Sequence, residues 1–144
     1  MKVLLVTAVL LVMAVFVIAA AGPAAVTYID HTKVAAALAK SETLVRSPVL
    51  TVMGSHRAAP GQVEVHEKET DVFYVTEGEA TFVTGGSMTG GKVTEPGQLR
   101  GSTIQGGESH HLTKGDVMVI PAGTPHWFRE VPKSISYYVV KVLK

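Results

Sequence analysis

From Val49 to Val142, short runs of alternating apolar and polar residues are broken by glycine- or proline-containing clusters at intervals of roughly ten residues. The runs are Val49–Met53, Gln62–His66, Val72–Thr76, Ala80–Thr84, Val117–Ile120, His126–Arg129 and Ile135–Val142. The breaks fall at Ala59-Pro60-Gly61, Glu77-Gly78-Glu79, Gly85-Gly86, Lys114-Gly115, Pro121-Ala122-Gly123 and Val131-Pro132. A period of two sends successive side chains to opposite faces, so each run predicts a strand with one face toward a core. Many short strands joined by turns predict an all-β sandwich or barrel. No helical pattern separates the runs, which argues against a parallel sheet built from βαβ units.

The first third of the chain reads differently. Met1-Lys2 precedes an uncharged stretch to Ile29, rich in Leu, Val and Ala as far as Ala21 and ending on Ala19-Ala20-Ala21-Gly22. One basic residue, an apolar core and a small-residue end are the parts of a secretory signal, here cut after Ala21 or, as the alternative, Ala24. About 20 apolar residues also suffice to span a bilayer, which leaves an uncleaved anchor as the other reading. Both readings place the domain outside the cytoplasm: secreted or periplasmic in one case, membrane-anchored in the other. The expected division is a signal over residues 1–21, a helical segment over 22–47 and a β-domain over 48–144. Within the middle segment, Val34, Leu38 and Val45 and the run Ala35-Ala36-Ala37 predict a helix from Asp30 to Arg46, capped by Asp30 or Thr32 and stopped by Pro48.

Charge and cysteine usage narrow the chemistry. Without Lys2 the chain carries 12 basic and 12 acidic residues, with no basic stripe and no aromatic interleaving, so nucleic acid is not an expected partner. There is no cysteine, which removes disulfides and thiolate ligands alike. Any metal must be held by His, Asp and Glu. Eight of the fourteen glycines lie between Gly85 and Gly107, a segment read as a long irregular hairpin, or else a plain loop, in which Lys92-Val93 could pair briefly with Gln98-Leu99.

Two segments carry candidate chemistry. Gly115 to His126 predicts a strand, a Pro/Gly corner and a second strand that opens on an imidazole. Glu64 and His66 are two apart on a strand and share a face, while Val63 and Val65 take the other. The next strand carries Asp71, Phe73 and Val75 on one face, which would set the Asp71 carboxylate beside His66. Two imidazoles with one or two carboxylates suit an octahedral Fe or Mn ion with open positions, and Zn or Ni remain possible. The metal ligands expected are therefore His66, Asp71, His126 and Glu64. Glu64 has a second reading as a catalytic acid or base, and both histidines have a plainer one as hydrogen-bonded barrel residues. Phe73 and Phe128 share parity with Asp71 and His126 and are expected in the substrate pocket. His56, by parity with Leu50 and Val52, and Arg57, as a carboxylate-binding group, are expected there too.

These segments resemble the two motifs of the cupin superfamily. The second motif, G-x5-P-x-G-x2-H-x3-N, is matched by Gly115, Pro121, Gly123 and His126, with Glu130 where Asn is usual. The first, G-x5-H-x-H-x(3,4)-E-x6-G, is matched in spacing by His66, Asp71 and Gly78. It departs at Glu64, which replaces the first histidine, at Asp71, which replaces glutamate, and at Gly61, which starts too close. The resemblance covers about Val49 to Val142. It implies a double-stranded β-helix, or jelly-roll barrel, with one short N-terminal helix, a divalent metal in the barrel and a small-molecule ligand. It implies a metal-dependent enzyme of dioxygenase, isomerase or lyase type, with a non-catalytic small-molecule or sugar-binding domain as the alternative. A homodimer is implied as well, and the Ser134–Val142 strand, apolar at both parities, would suit burial on both faces.

Overall fold

The computed structural model describes residues 25–144, so the expected signal or anchor over 1–21 lies outside the described residues. Among the described residues, one helix, α1 (His31–Lys40), precedes twelve strands. These are β1 (Thr43–Arg46), β2 (Leu50–Arg57), β3 (Val63–His66), β4 (Glu69–Thr84), β5 (Ser87–Thr89) and β6 (Lys92–Glu95). They continue with β7 (Gln98–Gly101), β8 (Thr103–Gln105), β9 (Glu108–Thr113), β10 (Val117–Ile120), β11 (His126–Glu130) and β12 (Ile135–Leu143). Every pairing is antiparallel. The main sheet runs β1-β2-β12-β4-β11-β3-β7-β6, with β9 and β10 also on β4, and curls into a jelly roll; β5 and β8 form a separate ribbon.

The helix is shorter than expected. Asp30 caps it as predicted, accepting from the Thr32 and Lys33 amides at 3.0 and 3.1 Å. It ends at Lys40 because Ser41 adopts the left-handed conformation (φ 57°) and donates its amide back to the Ala37 carbonyl. Pro48 plays no part in stopping it, and residues 43–46 form the edge strand β1. The helix lies on β2 so closely that a Cβ at Gly54 would stand 2.7 Å from the Leu38 nitrogen.

The predicted turn at Glu77-Gly78-Glu79 is instead the bend of a single 16-residue strand, β4. The register with β12 shifts between Ser136 and Tyr137, opposite this point, and Gly78 has φ +77°. Such a bulge lets one strand serve both sheets of the roll: residues 71–74 pair with β10, and 79–84 with β9 and β11. Only glycine fits, since a Cβ there would meet the Ser134 carbonyl oxygen at 2.0 Å.

Inside the roll, Phe73, Val75, Phe82, Leu112, Ile120, Phe128, Ile135, Tyr137 and Val139 form the core. Its aromatic centre packs Phe82 edge-on to Phe128 at 4.6 Å and to Phe73 at 5.6 Å between ring centroids. The polar residues Glu64, His66, Asp71 and His126 adjoin this core, the His126 ring lying 6.0 Å from that of Phe82.

Candidate metal centre

Pairing brings the two histidine-bearing hairpins together. His126 on β11 lies directly opposite Glu64 on β3, so their side chains are neighbours on one face. The Pro/Gly corner is tied to the same strand, because the Gly123 amide donates to the His66 carbonyl at 2.8 Å. Gly123 itself has φ +82°, a conformation that a Cβ would strain.

The result is a convergent cluster. Glu64 Oε2 lies 3.4 Å from His66 Nε2 and 3.8 Å from His126 Nε2, and the imidazole centroids are 5.1 Å apart. Asp71 Oδ2 lies 3.5 Å from His66 Nε2. One ligand atom from each of Glu64, His66 and His126 falls within 4.8 Å of the other two. Asp71 shares that spacing with His66 and Glu69. Of the expected ligands, the structure thus gathers three into one group and sets the fourth beside them.

Both imidazoles are held in the tautomer a metal requires. His126 Nδ1–H donates to the Thr124 carbonyl at 3.0 Å, and His66 Nδ1–H donates to Gln98 Oε1. A carbonyl only accepts, so each Nδ1 carries its proton and each Nε2 turns into the cluster. His126 Nε2 is buried with no hydrogen-bond partner. An unsatisfied buried polar atom costs about 1–3 kcal/mol, and a metal ion at this point would supply its partner. The donor set fits a divalent ion on this observation.

The electrostatics point the same way. Burial raises the Glu64 pKa, but in the metal-free protein at acid pH, where the rings are protonated, a hydrogen bond from His66 and the charges of Arg100 and the two imidazolium rings outweigh it and bring the value to about 2. Burial pushes His126 below its ordinary value, only partly offset by the Thr124 carbonyl. Both groups release protons more readily when folded, so in the metal-free protein their contribution is present above the unfolded pKa values and lost below them. Stability measured by urea midpoint is expected to fall as pH drops below about 6.5, from His126. It should fall again as Glu64 is protonated between 4.5 and about 2. A His126→Phe protein that kept the upper slope would contradict this assignment.

Several residues of the site escaped the sequence reading. Gln98 and Arg100 come from the glycine-rich segment, which is an ordered part of the sheet: β6 pairs with β7 as expected, and β7 pairs with β3. That pairing sets Gln98 opposite His66 and Arg100 opposite Glu64. Arg100 Nε lies 3.7 Å from Glu64 Oε1. Glu69 and Lys141 complete the wall. Periodicity did carry a signal for these two: Glu69 shares parity with Asp71, and Lys141 continues the inward stripe Ile135, Tyr137, Val139. Gln98→Leu is expected to weaken metal binding about 10- to 100-fold by freeing the His66 ring; an unchanged Kd by isothermal titration would remove Gln98 from the site.

The cluster opens into a cleft of about 360 Å³ whose walls include Arg46, Phe73, Gln98, Arg100, Tyr137 and Lys141. Of the four expected substrate-pocket residues, only Phe73 lines it. His56 shares parity with Leu50 and Val52, but that parity faces α1; its Nδ1 pairs with Ser136 Oγ at 2.9 Å on the outer surface. Arg57 points inward beyond the cleft, where its guanidinium sits 4.9 Å over the Phe128 ring. Phe128 belongs to the core beneath.

The Cupin family profile matches residues 23–142. Among curated protein sequences, none matches this chain. Among solved structures, BH2720 from Bacillus halodurans is similar at TM-score 0.59 and 15% identity, covering 85% of this chain and 84% of its own. The Schizosaccharomyces pombe Cnp3 cupin domain is similar at TM-score 0.52 and 10% identity, covering 72% and 60%. A Klebsiella pneumoniae protein described as having a double-stranded β-helix domain reaches TM-score 0.50 and 16% identity, covering 72% and 75%. This chain spans about half the length of another structural match. At such identities these likenesses speak for the fold alone, and they agree with the profile match over most of the sequence: the chain belongs to the cupin family.

Proposed function

We propose that this cupin binds one divalent metal ion through Glu64, His66 and His126 and uses it on a small organic molecule. The single observation that carries the reading is the orphaned His126 Nε2, buried and aimed at Glu64 and His66. Two neutral imidazoles and one carboxylate favour iron or manganese, with zinc or nickel as alternatives. Bound there, the ion would act as a Lewis acid on a substrate oxygen. The chain's own residues supply the rest: Gln98 and Thr124 orient the two rings, Phe73 forms an apolar wall, and Arg46 and Arg100 offer guanidinium forks to an anionic group. Glu64 serves better as ligand than as base, since a carboxyl with a pKa of about 2 draws protons weakly at neutral pH. A dioxygenase, isomerase or lyase reaction is consistent with this arrangement. The same cleft read without chemistry is a small-molecule or sugar-binding site, which the lack of an evident base favours.

Elemental analysis tests the first step: protein purified without chelator is expected to hold close to one ion per chain, and a metal-free, fully folded protein would overturn it. Turnover of candidate acids and sugars by the loaded protein then separates enzyme from binder.

Export and dimerisation are part of the same reading. The uncharged, Leu- and Ala-rich stretch up to Ala21 supports a signal cut there. On the outer sheet face, Tyr74, Val117, Val119 and Val142 are 44–63% exposed, an apolar surface that a second copy would cover. Native mass spectrometry of protein collected outside the cytoplasm addresses both: a single-chain mass removes the dimer, and a mass retaining residues 1–21 removes the cleavage.

A further inference from the structure

We propose that Lys141 is a positioning residue that holds Asp71 off the metal, leaving Glu64, His66 and His126 as the only protein ligands. The inference rests on the metal reading above and deepens it. Lys141 continues the inward face of β12 after Ile135, Tyr137 and Val139, where apolar residues would be expected. Register places it beside Asp71 on β4 and Thr51 on β2. A lysine turned into a barrel is costly unless paired, and this one is fully engaged. Its ammonium donates to Asp71 Oδ1 and Oδ2 at 2.9 and 3.0 Å and lies 3.0 Å from Glu69 Oε2.

The stoichiometry of donors is what decides. An ammonium has three N–H bonds, and three carboxylate oxygens surround this one. Both oxygens of Asp71 accept from it, and by spacing Asp71 falls outside the Glu64–His66–His126 group. The Asp71 side chain is 3% exposed and that of Lys141 18%, so separating them would leave a buried charge poorly compensated, a change that is strongly destabilising. The cluster of His66, Glu69 and Asp71, which by spacing alone could take a second cation, already has one built into the chain. The resemblance to the first cupin motif assigns Asp71 to the metal; in this chain the lysine claims it. A metal with three protein ligands keeps an additional position for water or substrate, so Lys141 sets how many groups the ion can accept from the cleft.

The test uses the full chain loaded with Co(II), whose visible absorption reports coordination number. The paired substitution Asp71→Asn with Lys141→Met removes both charges together and is expected to bind one Co(II) with the wild-type spectrum and close to the wild-type Kd. Lys141→Met alone frees the Asp71 carboxylate to join the ion: the visible band should weaken as coordination rises, and affinity should increase about tenfold. Loss of cobalt from the paired variant, as in His126→Ala, would show Asp71 to be a ligand and overturn the proposal. A folded Lys141→Met protein with an unchanged spectrum would overturn it too. Should that single variant fail to fold, the paired variant decides alone. Wild-type protein that takes up no cobalt would sink the metal reading itself, an outcome distinct from these.

Discussion

Replacing His126 by alanine is expected to reduce bound metal from near one ion per chain to background. The ring occupies the junction of the two hairpins: its Nδ1–H is spent on Thr124, and its Nε2 has no partner within the protein. Deleting it takes away one of only two nitrogen donors, and the remaining Glu64–His66 pair cannot hold a transition ion against solvent and buffer. The structural cost should be moderate, about 1–3 kcal/mol for loss of a buried side chain, partly offset because an unsatisfied atom is removed. Far-UV circular dichroism should therefore be unchanged while metal content by mass spectrometry collapses. Full metal occupancy in a folded His126→Ala protein would show that the ion, if present, sits elsewhere.

Phe82→Ala is expected to be the most damaging core truncation, at about 3–5 kcal/mol by urea unfolding. Phe82 is wholly buried and touches three rings: Phe128, Phe73 and, at 6.0 Å, His126. The cavity left behind would lie against the His126 ring, which would lose its floor as well. Weaker metal binding should accompany the lost stability, coupled through one contact. A destabilisation below about 1 kcal/mol would mean that the aromatic layer repacks, and the floor argument would fall with it.

Much of this molecule is legible in its sequence alone. Alternation and turn residues located seven strand regions and the all-β class, because a strand buried on one face must repeat every two residues. Spacing within the two motifs set Glu64, His66 and His126 in place, since local geometry carries side-chain direction over two or three residues. Local signals failed where a choice depended on what lay across the sheet. Glu77-Gly78-Glu79 has the composition of a turn, yet β12 alongside makes it a bulge in one long strand. His56 has the parity of Val52, but which parity is interior was decided by the helix packed over Gly54.

By itself, then, the sequence determined seven strand regions, the corner that presents His126 and the acid–histidine pair on β3, all of them properties of contiguous residues. Only the tertiary structure decided the partners: that Gln98 and Arg100 face His66 and Glu64, and that Lys141, 70 residues from Asp71 along the chain, takes that carboxylate. Pairing between distant strands fixes these neighbours, and pairing depends on register across the whole roll, which no short stretch of residues encodes.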